Sequence, residues 1–279
     1  MSRLIDVMHL GRDRVIGAYE IDGLIVDPGP STGMETLLAG LAAEPRALLL
    51  THIHLDHAGA SGSLVRRFPH LRVYVQEVGA PHLIDPAKLL ESADRLYGDD
   101  MERLWGEVLP VPAESVVTLA GGETVEGLRV AYVPGHARHH VAYLHEDSGD
   151  AYVGDVAGVR VPPDDFTLAP TPPPDIDVEA WERSLDRVAE WDPRRLCLTH
   201  FDRVENPLEQ LARVRESLRR NAERARYGER ERFLEAVDAD LERDAGPDVA
   251  LRVRQAAPPE QLWLGLDRYW RKREESGAG

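Results

Sequence analysis

Thr51-His52-Ile53-His54-Leu55-Asp56-His57-Ala58-Gly59 follows directly on the apolar run Ala47-Leu48-Leu49-Leu50. Such a run predicts a short strand buried on both faces, as in a parallel sheet. The polar stretch then emerges at the strand's carboxyl end, where open α/β sheets bind ligands. It places three imidazoles and one carboxylate between His52 and His57, donors suited to Zn²⁺ and other borderline divalent ions. His52 and His54 can point the same way from extended chain, while Asp56 and His57 fall on the turn that follows. One loop can therefore serve two adjacent ions. A lone histidine is more often structural than a ligand, but four donors in one loop make that explanation the weaker one.

Three later segments repeat the placement. Tyr132-Val133-Pro134-Gly135-His136 closes the apolar run 128–133, Ala151-Tyr152-Val153-Gly154-Asp155 closes another, and Leu196-Cys197-Leu198-Thr199-His200 a third. Each candidate ligand stands at the carboxyl end of a short apolar strand, from which several strands can converge on one site.

In these motifs the chain resembles the metallo-β-lactamase superfamily, whose pattern is His-x-His-x-Asp-His, then His, then Asp, then His. All seven positions are filled in order over about residues 1–204. The resemblance implies that His52, His54 and His136 bind one ion, that Asp56, His57 and His200 bind a second, and that Asp155 bridges both. Asp27, in Leu24-Ile25-Val26-Asp27-Pro28-Gly29, matches an early aspartate that supports the histidine loop without binding metal. The implied fold is α/β, an αββα metallo-β-lactamase sandwich with a helical insert and a helical C-terminal extension. Pro-Thr-Pro-Pro-Pro at 170–174, with the motifs around His136 and His82, is similar to a prokaryotic subgroup near the glyoxalase II-like and lactonase-like members.

At 279 residues, 43% hydrophobic and 29% charged, the chain is expected to be a globular protein with one large core or two smaller ones. No apolar run approaches bilayer-spanning length, and the opening residues lack a signal peptide's apolar core, so no membrane partner and a cytoplasmic location are expected. Cys197, the single cysteine, reads as a small buried hydrophobe. The net charge is −16, and residues 205–279 are near neutral, with 15 Lys and Arg against 16 Asp and Glu. The acidic remainder argues against a nucleic-acid partner, which needs a basic footprint.

In chain order, residues 14–21 and 23–26 read as a hairpin turning at Asp22-Gly23. A helix capped by Ser31 or Thr32 and stopped at Glu44-Pro45 follows, then the ligand loop, a helix over 59–68 and a strand over 71–75. The insert, about 77–113, begins a helix at Asp85-Pro86. Its Tyr97, Met101, Leu104 and Trp105 read as the insert's own core, with pocket wall as the alternative; His82 reads as structural. His140 is expected to be structural or to support a ligand, and His139 to be exposed or beside the pocket. The proline-rich 166–174 reads as a linker or as a rigid wall over the ions. A helix over 178–190 precedes the His200 strand. Beyond residue 205, helices over 208–218, 233–241 and 262–270 carry apolar stripes that need a partner, either the catalytic body of 1–204 or a second subunit in a homodimer.

The function expected is that of a metal-dependent hydrolase of a small molecule. Two divalent ions, zinc first with iron and manganese as alternatives, would hold a hydroxide between them to attack an ester, thioester or lactone. Asp56 would orient it or carry a proton to the leaving group. Phosphodiester hydrolysis is the second reading. Mono-iron sulfur oxidation is the third, opposed by His57 and His200, which such a site would not need.

Overall fold

The chain opens with β1 (Arg3–Asp6), β2 (Gly17–Ile21) and β3 (Leu24–Val26) in the computed structural model, which describes residues 2–277. Asp22 and Gly23 join β2 to β3 with φ of 48° and 82°. Two positive-φ residues make the type I′ turn whose twist matches the strands it joins, and Asp-Gly is the pair that tolerates it best. Next come α1 (Met34–Gly40), β4 (Ala47–Leu49), α2 (Leu55–Ala58), α3 (Ser61–Arg67) and β5 (Arg72–Gln76). The insert holds α4 (Ala80–Ile84), α5 (Ala87–Tyr97) and α6 (Met101–Trp105). Strands β6 (Val116–Leu119), β7 (Thr124–Val125), β8 (Leu128–Tyr132), β9 (Val141–His145) and β10 (Asp150–Tyr152) follow. Then come α7 (Val178–Ala189), β11 (Arg195–Leu198) and β12 (Asp202–Val204), and the chain ends in α8 (Pro207–Tyr227), α9 (Arg230–Asp244), α10 (Pro247–Ala256) and α11 (Pro259–Glu275).

Among the described residues these strands form two six-stranded sheets flanked by helices, ordered β1-β2-β3-β4-β5-β6 and β12-β11-β10-β9-β8-β7. No helix among them is long and apolar enough to cross a membrane. The chain divides into two compact units. One comprises the residues up to Tyr132 with His139–Tyr143; the other comprises Val133–Arg138 with the residues from Leu144 onward.

In the first unit, β1 and β2 pair antiparallel, while β3, β4, β5 and β6 run parallel in registers Val26↔Leu49, Leu49↔Tyr74 and Val73↔Val116. Strands β3 and β4 are buried throughout. That burial explains their continuous apolar runs; each such side chain taken from water contributes about 1.5–3 kcal/mol. The insert's aromatics are its core, as expected. Trp105 packs with Leu55 and Ala93, flanked by Leu89, Tyr97, Met101, Leu104 and Val108. Leu55 lies between two candidate ligands, so this cluster also anchors the ligand loop.

In the second unit, β10 runs parallel to β11 and β12 pairs antiparallel with β11. Strand β12, three residues long, is too short to show a period and was not anticipated. Asp177 caps α7 by accepting the Ala180 N–H at 2.8 Å, and α7 buries Trp181, Leu185 and Val188. Helix α8 buries Leu211, Val214 and Leu218 and packs against α7, α9 and α11. The extension's stripes thus find partners within their own unit. Helix α10 was not anticipated either. Gly246-Pro247 reads as a break, yet proline in a first turn forfeits an N–H that has no helical partner anyway.

Candidate metal centre

In the first unit, the parallel register of β3 and β4 brings Asp27 and the loop from Leu50 out at the same end. Asp27 is fully buried, and its carboxylate accepts three bonds: from Thr51 N–H at 2.8 Å, Thr51 Oγ1–H at 2.7 Å and His57 Nδ1 at 2.8 Å. A carboxylate only accepts, so His57 carries its proton on Nδ1 and keeps the Nε2 lone pair for an ion. The Thr51 hydroxyl, having donated to Asp27, accepts from His52 Nδ1 at 3.1 Å. His52 is thereby held in the same tautomer.

His52 Nε2 and His54 Nδ1 lie 3.0 Å apart. Two imidazole nitrogens on one tetrahedral zinc, each at about 2.0–2.1 Å, would be ~3.3 Å apart. Asp56 Oδ2 is 3.9 Å from His57 Nε2, and the Asp56 side chain is 20% exposed where His57 is fully buried. The loop is held from behind: Tyr143 donates its hydroxyl to Leu50 O at 2.8 Å, and Val141 N–H donates to Thr51 O at 2.8 Å. Burial first, then the charges of Asp27 and Glu123, push the Tyr143 phenol well above its usual range, so it stays a donor.

His140 stacks on the His52 ring with centroids 4.7 Å apart. His139 is buried rather than exposed, its ring 6.2 Å from that of His52 and its Nδ1 accepting Ile53 N–H at 3.4 Å.

In the second unit, Tyr152 pairs with Cys197, so Asp155 and His200 each stand three residues past a matched pair, at the same end of β10 and β11. Asp155 addresses two rings: Oδ2 is 3.4 Å from His136 Nε2, and Oδ1 is 3.6 Å from His200 Nε2. His136 donates Nδ1–H to the carbonyl of Pro170 at 2.9 Å, leaving Nε2 for Asp155 and for an ion. Trp181 meets the His136 ring edge-on at 5.4 Å and donates Nε1–H to Val156 O at 2.8 Å. Cys197 is buried; burial first, and then the nearby Asp150 charge, push its thiol far up, which disfavours the reactive thiolate.

The seven residues singled out in the sequence fall into these two sets, four in the first unit and three in the second. Five imidazoles and two carboxylates, with His52, His57 and His136 each oriented through Nδ1 by a neighbour, fit a divalent ion of the zinc, iron or manganese kind. The described residues thus carry His and Asp groups able to hold metal. Sequence reasoning missed the roles of Thr51, Pro170 and Trp181. The repeated Leu-Thr-His at 50–52 and 198–200 signals Thr51; no local signal points to the other two.

The sequence profile of the Metallo-beta-lactamase superfamily matches residues 18–200. The chain belongs to the metallo-β-lactamase superfamily. That match spans the seven residues singled out in the sequence, from His52 to His200. Among superfamily relatives, the chain is 33% identical to a hydroxyacylglutathione hydrolase of Synechococcus sp. (strain JA-2-3B'a(2-13)) over 131 residues, 47% of this chain and 42% of that protein. It is 31% identical to the metallo-beta-lactamase fold-containing protein ST1585 of Sulfurisphaera tokodaii over 160 residues, 55% of this chain and 59% of that one. The chain spans about half the length of these relatives. The crystal structure of ST1585 superposes with a TM-score of 0.66 at 26% identity, covering 79% of this chain and 85% of that one. A di-iron-bound form of TTHA1623 gives 0.54 at 28%, covering 71% and 93%.

Proposed function

We propose that this superfamily member is a binuclear metallo-hydrolase of a small ester, thioester or lactone. His52, His54 and His136 would hold one ion, Asp56, His57 and His200 the other, and Asp155 both. Each of these sets has a composition that can hold a metal ion. The observation that carries the reading is Asp155, which turns one carboxylate oxygen to His136 and the other to His200. A carboxylate that faces imidazoles from two strands, one through each oxygen, could serve an ion at each ring.

Divalent ions, when bound, lower the pKa of water toward neutrality and polarise a substrate carbonyl. The chain's own contribution is to aim and to move protons. Asp27 and the Pro170 carbonyl place a proton of His57 and of His136 on Nδ1, so each ring would offer Nε2 to an ion. Asp56, partly open to solvent, would accept a proton and return it to the leaving group. Relatives named hydroxyacylglutathione hydrolase support an acyl-thiol substrate, and the net charge of −16 disfavours a polyanion. Zinc is the first choice of metal, and the di-iron form of TTHA1623 makes iron the next.

The test is metal content per chain after expression with zinc, iron and manganese separately, with hydrolysis of a thioester, a lactone, an aryl ester and a phosphodiester. Two ions in the parent, at least one lost in Asp155→Ala, and turnover of an acyl substrate are expected. A single iron unaffected by His200→Ala would overturn the binuclear reading.

A further inference from the structure

The segment Pro170-Thr171-Pro172-Pro173-Pro174 runs between His136 and the last helix of the second unit. Four prolines in five residues lack N–H groups and fix φ, so the segment joins no ladder and behaves as a stiff strap. Its carbonyls are left to accept from side chains. Pro170 O accepts from His136 Nδ1 at 2.9 Å, while Pro174 O accepts from Arg268 Nε at 3.3 Å and Lys272 Nζ at 3.1 Å. Thr171 Oγ1 donates back to Leu262 O at 3.1 Å. All three of those outer partners lie on α11.

The closest approach is at Gly265. A Cβ placed there would come 1.9 Å from Thr171 O and 2.9 Å from the carbonyl carbons of Thr171 and Pro172. These are backbone atoms and cannot rotate aside. Helix α11 therefore rests directly on the strap one residue from the carbonyl that orients His136. On the other side, Ala169 N–H donates to Ser217 Oγ on α8 at 3.1 Å, so the strap is pinned before Pro170 as well as after it.

We infer that α11, through Gly265 and Thr171, positions the Pro170 carbonyl that aims His136 Nε2 at its ion. Gly265 and Thr171 are positioning residues for metal binding, and the C-terminal extension is part of the centre's scaffolding. The inference rests on the reading of His136 as a ligand. Stiffness is what transmits the effect: a flexible loop would absorb an added methyl at residue 265, whereas prolines at 170 and 172 pass the displacement to the carbonyl. Partners that orient a ligating histidine typically account for about 10- to 100-fold in metal affinity.

The test uses the full chain stripped of metal and titrated with Zn²⁺ against a chromophoric chelator, with Co²⁺ absorption as a second report of coordination. Gly265→Ala and Thr171→Val are compared with Leu264→Ala, a more exposed position on the same helix, and with His136→Ala. Helical content is followed by far-UV circular dichroism. Gly265→Ala is expected to weaken one ion by about 10- to 100-fold and alter the Co²⁺ spectrum while helical content is kept. Thr171→Val should do the same to a smaller degree, and Leu264→Ala should do neither. Should Gly265→Ala fail to fold, Thr171→Val decides alone, by the same readout. Parent-like affinities in the folded variants, alongside a lost ion in His136→Ala, would overturn the inference and leave His136 a ligand. Parent-like binding in His136→Ala would overturn the reading beneath it.

Discussion

Replacing Asp27 by Asn changes one oxygen into an amide group at the point where three buried hydrogen bonds meet. The Asn oxygen can keep the Thr51 N–H, now bound at 2.8 Å. The amide N–H₂ then faces the Thr51 hydroxyl and the His57 Nδ1–H, which bond to the other carboxylate oxygen at 2.7 and 2.8 Å. The hydroxyl can turn and accept. His57 cannot, unless its proton moves to Nε2. Either a buried donor stays unsatisfied, at about 1–3 kcal/mol, or His57 changes tautomer and loses the lone pair that would meet an ion. The first outcome lowers the urea midpoint of the metal-free protein by that energy divided by the m-value. The second weakens one ion by about 10- to 100-fold, the typical cost of losing such a supporting partner. Urea unfolding of the metal-free variant and chelator competition for the ions measure the two separately. An Asp27→Asn protein with the parent's urea midpoint and both ions held as tightly would refute the assignment of Asp27 as the group that orients the loop.

Trp105→Ala removes the centre of the insert's cluster and should cost about 3–5 kcal/mol in urea unfolding; a loss below 1 kcal/mol would mean the insert is not organised around it. Burial opposes the charge on Asp240, but hydrogen bonds from Arg224 and Arg243 prevail and hold its carboxyl below the usual range. The stabilisation from a carboxyl depressed in the folded state is complete above its unfolded pKa, about 3.9, and is lost as pH falls through the folded value. Asp240→Asn should therefore be less stable than the parent at neutral pH and converge with it in acid; a stability gap unchanged down to the acid limit would contradict this. Because burial holds the Cys197 thiol protonated, thiol reagents should leave the native chain untouched and label one sulfur per chain in denaturant. Rapid labelling of native protein would show that β11 opens.

The features legible in the sequence were those whose cause lies within a few residues. The His-x-His-x-Asp-His loop after an apolar strand, the Asp22-Gly23 turn and the strand-end positions of His136, Asp155 and His200 each follow from local chemistry. A donor must emerge where a buried strand ends, and only certain residues accept positive φ. The helix stripes of α7 and α8 were legible for the same reason, since their period is written along one element. Strand β12 and helix α10 were not, the first because three residues carry no period and the second because Gly246-Pro247 mimics a stop.

What tertiary structure alone decided is which groups face each other. Asp27 reaches Thr51 and His57 across 24 and 30 residues, the Pro170 carbonyl reaches His136 across 34, and Thr171 reaches Leu262 across 91. A proline carbonyl looks the same in sequence whether it meets water, a lysine or an imidazole. Candidate ligands could be named from the sequence because metal chemistry restricts donors to a few side chains. The groups that aim them could not, because almost any backbone or hydroxyl oxygen can serve, and only packing over long separations selects one.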